Sequence, residues 1–487
     1  MAGLGRWSGR VLTLAGVSLA VSACGDDEGG RDSDSGSSGG ATVAASTGPG
    51  SDSGVSAGQT TTSVSGSDSE ASAGSTTTGA TAVMTSAATE TTSTAGETTG
   101  DASTTAVESE SDTDSDSDSG DPCAGMGGGQ LDFSYIWVAN SAQGTVSKIN
   151  TLNMFEEGRY IVRPDSAGNP SRTSVNLRGD VAIANRFGGI TKIFARVDDC
   201  IDLNGNNTID SSTGKFDIRA WGQEECVAWY ADFPQYTVMR PMAWSPGVFN
   251  PGTCEFDNQK AWTTGAVTGQ PGSVHAIMLN GDTGQVEAEI NVPELQTIGA
   301  GPYGGAVDAE GNFWFHSRDA APYPLVRVDG QDFTYQLWNV PAPVNPYGIT
   351  IDTNGRIWLA GYIGGIGRFD PQTETWDVVE GLTGLGIQED ANGRMWIAIY
   401  PWGGTVGAWG LDVETMEQVG LIDLTSYTAQ SRGLSVDFEG NIWVVEQGAR
   451  AFRVNPNDQT TEIYDGLDGA YTYSDMTGWG LKNIIPG

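Results

Sequence analysis

The chain has 487 residues, with 61 Asp and Glu against 24 Lys and Arg, for a formal net charge of −37. A surface this acidic excludes a nucleic-acid binder, whose phosphate partners demand a basic footprint. With two histidines, five cysteines and no CxxC spacing, a Cys/His zinc site is excluded as well.

Residues 1–24 have the pattern of an export signal. Arg6 and Arg10 precede an apolar run at 11–21, too short to span a bilayer. The run ends in VSAC, which resembles the lipobox of bacterial lipoproteins. That resemblance implies cleavage before Cys24 and acylation of its thiol and new amino group. Acyl chains are then the membrane partner. Gly25 and not Asp follows the cysteine, which points to the outer membrane and the cell surface.

Residues 25–121 contain no Phe, Trp or Tyr and carry 18 acidic residues against one basic residue, Arg31. Ser, Thr, Gly, Ala and Asp make up most of the rest. Such a segment cannot bury enough apolar surface to offset its ordering entropy, so it is expected to be a disordered tether. Its coil scaling gives a reach of about 55 Å.

Residues 122–487 hold 14 of the 15 Trp and can bury a large core. Apart from Cys24, four cysteines remain in an oxidising compartment: Cys123, Cys200, Cys226 and Cys254. They suggest two disulfides, with three possible connectivities. Cys200 and Cys226 bracket a polar insertion at about 198–230, which favours that pair and leaves Cys123 with Cys254.

A repeat organises this domain. NPSRTSVNLRGDVAIAN starts at Asn169 and NPYGITIDTNGRIWLAG at Asn345, and the two align without a gap. Related copies begin at Gly301, Thr383 and Gln430. In every copy a glycine follows the second motif residue by nine positions: Gly179, Gly311, Gly355, Gly393 and Gly440. Alternating apolar residues, an Asp/Asn-x-x-Gly turn and a Trp-bearing segment predict strand, tight turn, strand. A third element such as IGRFD and a fourth such as TWDVVE follow. Four short strands per 38–47 residues predict propeller blades.

Second strands near Trp137, Ala182, Trp262, Trp314, Trp358, Trp396 and Trp443 make seven blades. Six is the alternative if the blade with the long insertion is degenerate. The fold class is therefore an all-β, seven-bladed propeller. YIWVAN at Tyr135 lacks a first strand, and MTGWGLKNI at 476–484 lacks a second, so the C-terminal strand is expected to close the first blade. Closure also removes two sheet edges.

PYGI…D..G.IW followed by IGRFD resembles the streptogramin B lyase (virginiamycin B lyase) group of propellers and, more loosely, NHL-type propellers. Likeness is strongest from about Gly301 to Pro456. In those lyases the catalytic histidines stand where Pro-His replaces Pro-Tyr in two blades, beside a metal-binding carboxylate. Here the equivalent positions are Ser171, Met242, Tyr303, Tyr347, Leu385, Arg432 and Trp479. None is histidine, and Glu446 alone matches the family's glutamate. The resemblance carries over the fold and not the reaction. His275 and His316 are expected to be hydrogen-bonded strand residues. Lys148, Lys192, Arg327, Arg368 and Arg453 recur once per blade, which predicts a structural bond repeated around the ring.

First strands are innermost in a propeller, so the seven motif residues should crowd one end of the channel. Aromatic faces and an Arg fork there suit a small-molecule, glycan or protein ligand. A second candidate is DLNGNNTID, in which Asp202, Asn204, Asn206 and Asp210 and the Thr208 carbonyl offer hard oxygens to Ca²⁺. It departs from the EF-hand, with Asn207 in place of the turn glycine and Thr213 in place of the bidentate Glu. The function expected is a binding or interaction module on a cell-surface lipoprotein. The alternative is a lyase- or hydrolase-type enzyme with a diverged site.

Overall fold

A computed structural model describes residues 134–400 and 404–485. The export signal, Cys24, the tether and Cys123 lie outside the described residues. Among those described, no helix is long and apolar enough to cross a membrane.

Among the described residues seven antiparallel blade sheets follow one another along the chain, and a two-stranded hairpin, Val248–Asn250 with Glu255–Asp257, projects from blade 3. Blade 5 shows the pattern: Pro346–Ile351, Ile357–Gly361, Gly365–Asp370 and Thr375–Glu380, paired in chain order. The six inner strands from Pro170–Val175 to Gly433–Val436 pack side by side in sequence order. The turn glycines all take positive φ, from 69° at Gly393 to 87° at Gly311, which a side chain would resist.

The aspartate of each turn does more than turn the chain. In blades 4 to 7 one oxygen accepts the backbone amide four residues on, as from Arg356 to Asp352 (2.9 Å). The other accepts the indole N–H six residues on. Trp314, Trp358, Trp396 and Trp443 reach Asp308, Asp352, Asp390 and Asp437, each at 2.8 Å. Each tryptophan is thereby fixed flat between neighbouring sheets and fully buried. Trp262 on Phe313 (5.3 Å, 13°) shows the same packing between blades 3 and 4. The recurrent basic residues act as expected. Lys148, Lys192 and Arg368 donate to carbonyls of the next blade, at Ala195 (2.9 Å), Gly281 (3.2 Å) and Glu414 (2.9 Å). Arg453 reaches Thr151 across the ring closure. Arg327 departs from this pattern and pairs with Asp329 of its own blade.

Closure comes from the C-terminal segment, eight residues upstream of the expected register. Asn140 bridges Ala470, Tyr471 N–H donates to Ala139 (3.1 Å), and Trp137 N–H donates to Met476 (2.9 Å). Residues 469–476 thus run along Tyr135–Asn140 at the inner edge of blade 1, whose own sheet has three strands, and join it through one isolated bridge and these hydrogen bonds. Ser474 ties this closing segment to Thr173 of blade 2, and Ser435 of blade 7 accepts the Met476 N–H at 3.0 Å. Residues 476–484 are not the closing strand. Gly478, at φ 84°, opens a short helix, α1 (Trp479–Asn483). A Gly in that conformation turns the chain, which is why the closing segment leaves blade 1 before Trp479.

The insertion lies between the third and fourth strands of blade 2, Ile190–Ile193 and Val227–Ala231. A Cys200–Cys226 disulfide closes it, as expected. It covers the outer edge of blade 1, where Arg159 N–H donates to Ser212 (2.9 Å). Cys254 is disulfide-bonded as well.

Candidate functional site

The inner strands start at one end of the channel with a local irregularity. Register shifts between Pro170 and Arg172, Pro302 and Gly304, and Pro346 and Gly348. Ser171, Tyr303 and Tyr347 are therefore bulged residues, and a bulge re-aims the side chain it carries. The glycine that follows is required at Gly348, where a Cβ would fall 1.9 Å from the Leu385 carbonyl. Blade 2 carries Arg172 at that position instead.

Tyr303, Tyr347 and Leu385 share one buried cluster with Tyr473. Ser171 is buried as well, and Met242 packs in a separate buried cluster with Trp244 and Leu481. The expected seventh member, Trp479, is displaced. Its indole donates to the Glu389 carbonyl (2.8 Å) at the opposite end, where the inner strands finish. Tyr471 takes the vacated place, because Ala470 pairs with Asn140 as Pro346 pairs with Gly361.

Four phenols converge there. The hydroxyls of Tyr303, Tyr347 and Tyr473 lie 2.9, 3.1 and 3.1 Å from that of Tyr471. Five guanidiniums surround this hub. Arg172 lies 3.2 Å above the Tyr473 ring and donates to the Tyr303 carbonyl at 3.0 Å. Arg240 lies 4.8 Å from the Tyr303 ring centre, and Arg318 lies 4.7 Å from both Tyr303 and Tyr347. Arg186 and Arg432 stand over Tyr471 at 5.0 and 5.2 Å, and Arg432 also donates to the Tyr347 hydroxyl at 2.8 Å. Arg172, Arg240, Tyr303, Tyr347 and Tyr473 form a buried floor. Arg186, Arg318, Arg432, Tyr362, Tyr400 and Tyr471 form a partly exposed rim.

The electrostatics follow from this crowding. Burial pushes the Tyr303 phenol up, but the guanidiniums of Arg240, Arg318 and Arg172 more than offset it and draw the group well below the usual phenol range. Burial and the neighbouring phenols hold Tyr347 and Tyr473 well above it. Of these three phenols Tyr303 is therefore the first to ionise. His316 donates its Nε2–H to the Tyr347 carbonyl (3.1 Å). Burial and Arg318 push its pKa down to about 3, so the imidazole is neutral. His275 is a strand residue bonded to Ser273 and Asn291. Glu446 is taken up by Thr428 (2.7 Å) and Arg450 (2.9 Å).

The other end is shut by α1. Asp475 accepts from Gln388 (3.0 Å) and from the amides of Gly478 (2.9 Å) and Leu481 (3.2 Å). Glu389 accepts from Thr353 (2.7 Å) and Asn483 (2.9 Å). Between plug and hub remains a cavity of about 40 Å³, lined by Met242, Ile349, Gln388, Asp475 and Leu481 among others. The arginine–tyrosine end is the one that α1 does not cover.

In the insertion, the Asp202 carboxylate accepts amides from Gly205 (2.6 Å) and Asn207 (2.8 Å). Asn204 and Asn206 donate to Asp210 at 2.8 and 2.9 Å, and Thr208 bonds to Asn206. Glu225 caps the loop through the amides of Leu203 (2.9 Å) and Asp210 (2.7 Å). Among the described residues, no three His, Cys, Asp or Glu side chains gather as a metal-ligand group.

Sequence reasoning found Tyr303, Tyr347 and Arg432 but missed Arg172, Arg186, Arg240, Arg318, Tyr471 and Tyr473. A signal for two of them is in the repeat. Four positions after Ala182, Trp314, Trp358 and Trp396 stand Arg186, Arg318, Tyr362 and Tyr400, the rim itself.

No family model matches the chain, and no curated protein does. Solved structures do. A catalytically inactive virginiamycin B lyase from Staphylococcus aureus with quinupristin is 15% identical, over 61% of this chain and 84% of that one, with a TM-score of 0.44. AztD from Citrobacter koseri is 10% identical over 70% and 97%, with a TM-score of 0.43. BamB from Moraxella catarrhalis is 13% identical over 70% and 85%, with a TM-score of 0.38. This chain is similar to all three in being a β-propeller, and streptogramin B lyases are among its structural neighbours.

Proposed function

We propose that the protein is an exported lipoprotein, acylated at Cys24, whose tether carries a seven-bladed propeller that works as a receptor for a small ligand. The observation that carries this reading is the convergence of Arg172, Arg240 and Arg318 on the Tyr303–Tyr471 hub at the one end of the channel not filled by α1. Aromatic faces and guanidinium forks grip ligands without reacting with them. The two Pro-His positions of the lyases are Pro-Tyr or other pairs here, so the acid–base step that family uses has no counterpart at them. The signal pattern and the lipobox-like VSAC support the anchor.

Two experiments test the reading. Cys24→Ser protein, processed and exported, should leave the membrane fraction; unchanged fractionation overturns the anchor. Small metabolites and glycans titrated into the protein should include ligands whose binding falls in both Tyr303→Ala and Tyr347→Ala. A ligand panel that binds both variants as it binds the parent places the receptor surface elsewhere.

A further inference from the structure

We infer that the channel mouth is a receptor for a compact oxyanion, a carboxylate or phosphate group carried by the ligand. The inference rests on the receptor reading and names what that receptor takes.

The chain has more than two acidic residues for every basic one. Elsewhere its arginines use them. Arg356 pairs with Asp352 and Glu414, Arg394 with Asp390, Arg159 with Glu156 and Arg450 with Glu446. Among the described residues, no ion pair joins a carboxylate to Arg172, Arg186, Arg240, Arg318 or Arg432. Five unpaired guanidiniums in one spot, in a chain this acidic, mark a place from which internal carboxylates are kept out.

The donors are also left over. Arg172 Nε, Arg186 Nε, Arg318 Nε and both Nε and Nη1 of Arg240 are buried without a hydrogen-bond partner. Buried polar groups are normally satisfied, and an unpaired buried charge is expensive. Arg240 is the clearest case, 6% exposed and set against the Tyr303 ring face. Guanidinium presents a planar fork of donors that fits carboxylate and phosphate oxygens. An anion entering through the rim meets those forks at the floor.

The tyrosine hub explains how the guanidiniums are balanced by the chain itself. The groups facing it are the five guanidiniums, the phenols of Tyr303, Tyr347, Tyr471 and Tyr473, and the neutral His316 imidazole. Among the described residues no carboxylate pairs with these guanidiniums, and a Tyr303 phenolate supplies the internal counter-charge. An arriving anion replaces it, and the hub takes one proton from solvent. Binding therefore weakens as pH rises and the phenolate competes, and bound anion suppresses the tyrosinate absorbance.

The test titrates inorganic phosphate and citrate into the detergent-solubilised full chain, with chloride at equal ionic strength as control. Heat of binding, melting temperature and tyrosinate absorbance are followed. One or both anions should bind saturably, raise the melting temperature above the chloride control and diminish the tyrosinate band. The two arms separate a phosphate site from a carboxylate site. Arg240→Gln and Arg318→Gln should each weaken binding at least tenfold, and Arg327→Gln, outside the mouth, should not. Ligand-free Arg240→Gln should melt no lower than the parent, because it relieves repulsion; a lower melting point with no anion response would show the arginines to be structural props. Should Arg240→Gln not fold, Arg240→Lys and the absorbance of the unaltered chain decide the matter. If uncharged glycans or aromatic amides bind at Tyr303 and Tyr347 while both anions fail, the receptor stands and this inference falls. If neither class binds, both fall.

Discussion

At the end where the inner strands begin, five guanidiniums crowd four phenols, with no carboxylate paired to them among the described residues. At the end where they finish, Glu389, Asp437 and Asp475 meet amides, an indole and a short helix of the same chain. The turn end is satisfied from within, and the mouth is not. Residues that hold a fold find their partners in the chain, whereas residues that hold a ligand leave valences open. The two ends also titrate in opposite senses. The depressed Tyr303 phenol contributes stability that grows as it ionises. Burial, followed by the nearby charge of Asp352, raises the Glu389 carboxyl to about 7, so its contribution is lost as it ionises.

The largest effect should come from separating closure from plug. Deleting 469–487 removes the closing segment of blade 1 and opens the ring; cooperative unfolding should disappear. Deleting 478–487 removes α1 alone. The ring stays closed, the channel opens at its turn end, and calorimetry should still show one cooperative transition at lower temperature. If the shorter deletion also abolishes that transition, the helix is part of the closure and the two roles are one.

Next in size is the loss of an internally satisfied carboxylate. Asp352 is fully buried and holds Trp358 (2.8 Å) and Arg356 (2.7 Å). Asp352→Ala strands both partners and should cost about 3–5 kcal/mol in denaturant unfolding. Arg240→Gln at the mouth should carry no such cost. Equal losses would erase the distinction between the ends.

The pH effect follows at about 3 kcal/mol, from a carboxyl raised from 4.5 to about 7. A raised folded value means the neutral acid is favoured in the fold. The stability it adds is full below pH 4.5 and is lost as pH climbs through 7. Glu389→Gln should remove most of this slope and be the more stable protein at pH 8.5. A parent chain whose stability is level from pH 5 to 8.5 contradicts the assignment.

Much of the blade architecture was legible because each blade repeats one local solution. The Asp-x-x-Gly turn, the flat Trp and the cross-blade Lys or Arg recur at fixed spacing. The closing strand was misplaced for a physical reason. Its partner strand is at the other end of the chain, so no hairpin turn follows it and the nine-residue count to glycine has nothing to find. Gly478 offered a false match and serves α1 instead. Of the mouth, Tyr303 and Tyr347 were visible as motif residues. Arg172 and Arg240 were not: Arg172 stands where blades 3 to 7 keep Gly or Ala, Arg240 where the other copies carry Asn, Gly, Thr or Gln, and a repeat hides its exceptions. Tyr473 reaches the hub only because the ring closes.

The smallest expected effect lies at the outer edge of the turn end, where the insertion emerges from blade 2. We propose that the loop bearing Asp202, Asn204, Asn206, Thr208 and Asp210 takes Ca²⁺. Its oxygens gather within a few residues. Amide donors, led by that of Asn207, hold the Asp202 carboxyl below its usual range, keeping it available as an anionic ligand. The same amides already satisfy the loop, and the disulfide already closes it, so the ion has little left to organise. A hundredfold excess over Kd sets a ceiling of about 2.7 kcal/mol, and the observed gain should fall below it and stay local. Calcium at millimolar concentration should slow proteolysis between Cys200 and Trp229 and leave the blades unchanged. Asp202→Ala and Asp210→Ala should each abolish that response, and Asp458→Ala should not. If calorimetry detects no binding, or if both loop variants bind as the parent does, the loop is an Asx-rich turn. The turn end is then satisfied by the chain alone, out to its periphery.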